Sequence, residues 1–173
     1  GHREPSIRRA HEQTNVPTLP TQRSMNKLQL NGETIAVEAI ETTPLAYVLR
    51  NECGIKSVKV GCEAEQCGAC TVLVNNRPVP SCTLALREAS KHRLTTLEGL
   101  AKGDVLSQVQ NALLASNASQ CGYCLSGIAI AAHALFQTNA RPTRDDIVTA
   151  LDGHLCRCGA HPRVIRALEQ LAT

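Results

Sequence analysis

The sequence predicts an α+β chain in two parts, a small sheet crossed by one helix over residues 25–97 and an all-α four-helix unit over residues 98–173. Three observations lead there. Apolar residues alternate with polar ones between tight turns only in the first half. From about residue 104 the apolar spacing becomes helical. Eight of the nine cysteines fall into two sets of four, one set in each half.

Residues 1–24 are polar, contain Pro5, Pro17 and Pro20, and are read as a flexible arm or a cloning remnant, outside the fold. Leu28 and Leu30, an Asn31-Gly32 turn, then Ile35 and Val37 predict a β-hairpin. Thr43-Pro44 opens a short helix, with Thr43 as cap, Pro44 at the first helical position and Leu45, Val48 and Leu49 on one face. Cys53-Gly54 closes it. Thr71–Val74, an Asn75-Asn76 turn and Pro78-Val79 predict a second hairpin, and Arg93–Thr95 a further strand. Asp104 then caps a helix carrying Val105, Leu106, Val109, Ala112 and Leu113. Residues Ser126–Thr138 are apolar on nearly every side, the mark of a buried central helix. Thr143 with Asp146 forms a capping box for a third helix through Ile147–Leu151, and Val164, Leu168 and Leu171 give the fourth.

The composition bounds the function. With 173 residues, 43% of them hydrophobic, the chain can bury an ordinary core, built of aliphatic side chains because only Tyr47, Tyr123 and Phe136 are aromatic. The net charge of +3 falls to +1 once the four Arg and two Glu of residues 1–24 are set aside, which argues against a nucleic-acid partner. An odd cysteine count clustered as CxxC and CxC is a poor disulfide framework. No apolar run is long enough for a signal peptide or a membrane span, and Arg8-Arg9 is followed by no hydrophobic stretch. The expected compartment is a reducing cytoplasm. No nucleophile–base constellation, phosphate loop or pair of catalytic carboxylates is evident, so any chemistry belongs to a cofactor.

Cys62-x4-Cys67-x2-Cys70, with Cys82 twelve positions on, has the spacing of plant-type [2Fe–2S] ferredoxins. Three ligands on one loop can wrap a cluster whose fourth arrives from a strand end, and Gly61 and Gly68 let the backbone approach the sulfides. Zinc is the competing reading, but it usually pairs two CxxC knuckles, and only one is present here. In the second set, Cys121 and Cys124 precede the central helix and Cys156 and Cys158 lie between the third and fourth helices. Helix N-termini favour thiolates and an anionic cluster. Spacing alone leaves zinc open here. Rieske ligation is excluded, since Cys-x-His pairs are absent.

GCEAEQCGACTVLVNNRPVPSC, QCGYCLSGIAIAAHAL and LDGHLCRCGAHPRVIRAL resemble the iron–sulfur subunit of the xanthine dehydrogenase and aldehyde oxidase family of molybdenum hydroxylases, from about Met25 to Leu171. The resemblance implies a β-grasp ferredoxin-like domain and a four-helix domain, each with one [2Fe–2S] cluster. It implies a large partner subunit whose molybdopterin-type cofactor oxidises an aldehyde or N-heterocycle, with Gln120 on the pterin side. Two departures stand out: Glu63 and Glu65 replace glycines usual in the first motif, and Cys156-Arg157-Cys158-Gly159-Ala160-His161 replaces the usual CRCTGY. The latter form is similar to small subunits of isoquinoline oxidoreductases and nicotinate dehydrogenases, a branch that tends to lack a flavin subunit and to pass electrons to a cytochrome c or other acceptor; a cytochrome c or a flavin subunit is the expected acceptor. A free-standing two-cluster carrier is the alternative. Cys53 reads as an apolar filler, His133 as a core residue, and His154 and His161 as loop histidines near the second set.

Overall fold

The computed structural model describes residues 22–173, so most of the expected arm lies outside the described residues. Strand β1 (Ser24–Leu30) pairs antiparallel with β2 (Glu33–Ala39), from Ser24 opposite Ala39 to Leu30 opposite Glu33. Asn31 and Gly32 between them both have positive φ, 54° and 88°, which gives the turn a twist that matches its strands. Strands β3 (Thr71–Val74) and β4 (Arg77–Pro80) form the second hairpin around Asn75 and Asn76, at φ 49° and 66°. Strand β5 (Arg93–Thr95) runs parallel to β1 and antiparallel to β3, completing a sheet of order β2-β1-β5-β3-β4. Helix α1 (Leu45–Asn51) sends Leu45, Ala46, Val48 and Leu49 into a core shared with Leu28, Val37, Val72 and Leu94. Each fully buried Leu or Val side chain contributes about 1.5–3 kcal/mol.

The start of α1 differs from the expected one. Pro44, not Thr43, is the cap, in an extended conformation with no side-chain hydrogen bond. The reason is tertiary: Leu45 N–H donates to Leu84 O (2.7 Å) and Ala46 N–H to Ser81 O (3.0 Å). Two of the helix's orphan donors are thereby satisfied from a distant segment, and a hydroxyl cap has nothing left to do. That segment leads into helix α2 (Leu86–Ala89), and a single 3-10 turn spans Leu97–Leu100. Both are too short to leave a periodic signature.

Helix α3 (Gln108–Ala115) also starts later than expected. Ser107 is its cap, accepting from Gln110 N–H at 3.3 Å while the Gln110 side-chain carbonyl accepts from Ser107 N–H at 2.9 Å. Asp104 instead lies in a tight turn closed between Lys102 and Val105, which leaves Val105 71% exposed. Helix α4 (Leu125–Thr138) is the centre of the second half. Its Ile128 and Ala132 pack among α3, α5 (Arg144–Leu151) and α6 (His161–Leu171), while Ile130 and Ala134 pack on Leu73 of the sheet and on Leu100. Because it faces helices on one side and the sheet on the other, it is apolar all round. The Thr143–Asp146 capping box opens α5 as expected. Among the described residues, no helix is long and apolar enough to cross a membrane.

Candidate metal centres

Cys62, Cys67 and Cys70 lie on the loop between α1 and β3, and Cys82 follows β4. The β3–β4 hairpin closes this set by returning Pro80 opposite Thr71, and Ser81 then bonds Cys70 O through both its N–H (3.3 Å) and its hydroxyl (2.6 Å). Cys70 and Cys82 are buried; Cys62 and Cys67 are half-buried. The loop turns its amides toward the sulfur of Cys62, which accepts from Ala64 N–H (3.4 Å) and Gln66 N–H (3.3 Å). Those bonds bring its pKa down to about 7, whereas burial pushes Cys82 up to about 11. Glu63 and Glu65 sit at φ 57° and 59°. Both therefore occupy backbone conformations that suit glycine, at a cost of about 1–2 kcal/mol each. Their carboxylates are held on the loop, Glu63 accepting from the Tyr47 hydroxyl and Glu65 from the Thr83 hydroxyl. At Gly61 a Cβ would meet Cys67 Sγ at 2.8 Å, so the backbone there passes close against a thiol of this set.

The second set assembles from two loops. Cys121 and Cys124 precede α4, with Gly122 at φ 77°, and Cys156 and Cys158 lie between α5 and α6, with Gly159 at φ 71°. Gln120 joins the loops, its Nε2 donating to Cys158 O at 3.0 Å, and the sulfurs of Cys121 and Cys158 approach to 3.4 Å. At the start of α6, Ala160 N–H donates to Cys156 Sγ at 3.3 Å. The Tyr123 N–H lowers the pKa of Cys121, while burial pushes Cys124 up to about 12. For Cys156 burial acts upward, but donation from Ala160 and neighbouring amides outweighs it. Cys121 is exposed, so this set opens to the surface on the side of Gln120.

All eight thiols are free; Cys121, Cys124, Cys156 and Cys158 line one small pocket, and Cys62 and Cys70 lie close enough to Cys82 to influence its ionisation. Four thiols in each set match a two-iron cluster, in which each iron takes two thiolates.

The two sets meet across the junction of the sheet and the helices. Leu155 N–H donates to Cys67 O (3.1 Å), and the Tyr123 hydroxyl donates to Val60 O (2.6 Å). His154 Nε2 lies 3.4 Å from Thr71 Oγ1. Leu155 and Tyr123 carry no chemistry that spacing could single out; their roles come from where the fold puts them. His154 is buried, and burial, followed by the charge of His161, lowers its pKa. Cys53 is half-buried against the sheet core, as a filler should be, with its thiol pushed up by burial. His133 is half-buried beside Leu106 and Phe136.

Residues 28–101 match the family model of a 2Fe-2S iron-sulfur cluster binding domain, and residues 96–169 that of a [2Fe-2S] binding domain. The small FeS subunit of nicotinate dehydrogenase from Eubacterium barkeri is 38% identical over 148 residues, covering 83% of this chain and 94% of that one. The xanthine dehydrogenase iron-sulfur-binding subunit of Escherichia coli O157:H7 is 39% identical over 141 residues, 80% and 88% of the respective chains. Among solved structures, a chain of quinoline 2-oxidoreductase from Pseudomonas putida 86 superposes with a TM-score of 0.83 at 31% identity, over 88% of this chain and 94% of that one. With two cysteine sets seated in two 2Fe-2S binding domains, this chain belongs to the iron–sulfur subunits of the xanthine dehydrogenase and aldehyde oxidase family of molybdenum hydroxylases, which act in electron transfer.

Proposed function

We propose that Cys62, Cys67, Cys70 and Cys82 hold one [2Fe–2S] cluster and that Cys121, Cys124, Cys156 and Cys158 hold the other, in two domains that divide near residue 97. The chain serves a large partner subunit bearing a molybdopterin-type cofactor, and the reaction is oxidation of an aldehyde or N-heterocycle. When bound, the clusters supply one-electron redox chemistry. The protein's part is to hold them, shield them and bring them together. The observation that carries this reading is the Leu155 N–H to Cys67 O bond, which links a ligand of one set to the residue beside a ligand of the other. A wire needs such contact; two independent clusters do not.

Gln120 is placed on the pterin side, in keeping with the exposure of Gln120 and Cys121 at the mouth of the second set. A permanent subunit rather than a free-standing carrier is favoured by apolar surface around that set: Leu155 is 65% exposed, Tyr123 47% and Leu114 62%. A groove lined by Leu97, Leu106, Leu113, Leu125 and Ala129 adjoins it. The acceptor is a cytochrome c or a flavin subunit, with the CRCGAH form favouring the former, and the compartment is the cytoplasm.

The test uses the native complex carrying Cys67→Ser. Single-turnover reduction by substrate, followed by EPR, should reduce the remaining C-terminal cluster as fast as in the wild type. Electrons from the pterin should enter first at this cluster, on the Gln120 side, and its failure to reduce would reverse that order. Purification of the chain alone, without a large subunit in fixed ratio, would favour the free-standing carrier.

A further inference from the structure

The hydrogen bonds across the junction tie the cluster loops together, but a tie does not set a distance. Hard contact does. The backbones of the sheet half and the helical half come close where Gly68, Gly127 and His154 meet. A Cβ on Gly127 would lie 2.0 Å from Gly68 O, 3.1 Å from Gly68 C and 3.3 Å from His154 Cδ2. A Cβ on Gly68 would lie 2.5 Å from His154 Cδ2 and 2.7 Å from Gly153 O, and its φ of 69° disfavours a side chain in any case. Each of the three residues belongs to a different ligand-bearing segment: Gly68 follows Cys67, Gly127 lies three residues after Cys124, and His154 lies two before Cys156.

The imidazole is fixed in this stack. The Thr71 hydroxyl donates to Gly68 O at 2.7 Å, so it can only accept from His154 Nε2–H, 3.4 Å away. His154 is 8% exposed and closes the junction from the helical side. We propose that Gly68, Gly127 and His154 form a stop that fixes the separation of the two cluster loops, and that they are positioning residues for electron transfer between the clusters. This rests on the two-cluster reading above.

The test compares Gly127→Ala with Gly153→Ala in the cluster-loaded protein, because a Cβ on Gly153 meets nothing within 4 Å. The readouts are the magnetic interaction between the two reduced clusters by EPR and the rate of electron redistribution between them. Gly127→Ala should keep both individual signals, weaken their interaction, and slow redistribution several-fold, because a Cβ 2.0 Å from Gly68 O forces the two loops apart. Gly153→Ala should match the wild type. Should Gly127→Ala fail to load both clusters, His154→Ala decides, since it removes the imidazole packed against Gly68 and Gly127; with the stop gone, the interaction between the clusters should change while both individual signals remain. An unchanged interaction and rate in a loaded Gly127→Ala protein, or in His154→Ala where that variant decides, overturns the stop. A wild type lacking two cluster signals overturns the underlying reading instead.

Discussion

Replacing Cys156 with Ser is expected to remove about half of the iron and to leave only the N-terminal cluster's signal, because two [2Fe–2S] clusters hold about four irons on eight thiolates. Cys67→Ser should do the converse. The independence is structural: one set is closed by the β3–β4 hairpin through Ser81, the other by Gln120 bridging two loops of the helical half. Neither set borrows a ligand from the other. Cys53→Ala should retain both clusters, since that thiol packs on the sheet core. Iron and acid-labile sulfide analysis with EPR reads all three variants. Cluster loss in Cys53→Ala, or loss of both clusters in either serine variant, would contradict the ligand assignment.

Neutralising Glu63 and Glu65 together should raise the potential of the N-terminal cluster. Reduction adds negative charge, and two carboxylates fixed on the cluster loop by Tyr47 and Thr83 oppose it. A unit charge about 6 Å from a redox centre shifts a one-electron potential by roughly 30 mV in water-like surroundings and by roughly 120 mV at an effective dielectric near 20. Both residues are exposed, which puts the shift toward the lower figure. Glutamine is the substitution to use, because it keeps an acceptor for each hydroxyl and leaves the positive-φ backbone demand unchanged. Redox titration of Glu63→Gln/Glu65→Gln followed by EPR checks it. An unmoved potential sinks the electrostatic claim.

The legible parts of the fold were those with strong local chemistry. Asn31-Gly32 and Asn75-Asn76 demand positive φ, and both hairpins stand where those turns put them. The buried helix was readable from its lack of a polar face, and the Thr143–Asp146 box from its spacing. At α3 the Ser107-x-x-Gln110 spacing is a capping box with two reciprocal bonds, and it prevails over the lone carboxylate of Asp104. Where a distant segment supplied the partner, as Leu84 and Ser81 do for α1, no local signal existed. The cysteine sets were visible because ligand spacing is local, and the positive φ of Glu63 and Glu65 followed from the glycines they replace. The junction was not visible, because Leu155, Tyr123 and Gly127 acquire their roles only when α4 packs on the sheet.

Metal and sulfide analysis of the anaerobically purified chain tests the central claim most directly. About four irons with a matching amount of acid-labile sulfide, in a red-brown protein, are expected from eight thiolates arranged as two sets of four. A colourless protein containing zinc and no sulfide would contradict it.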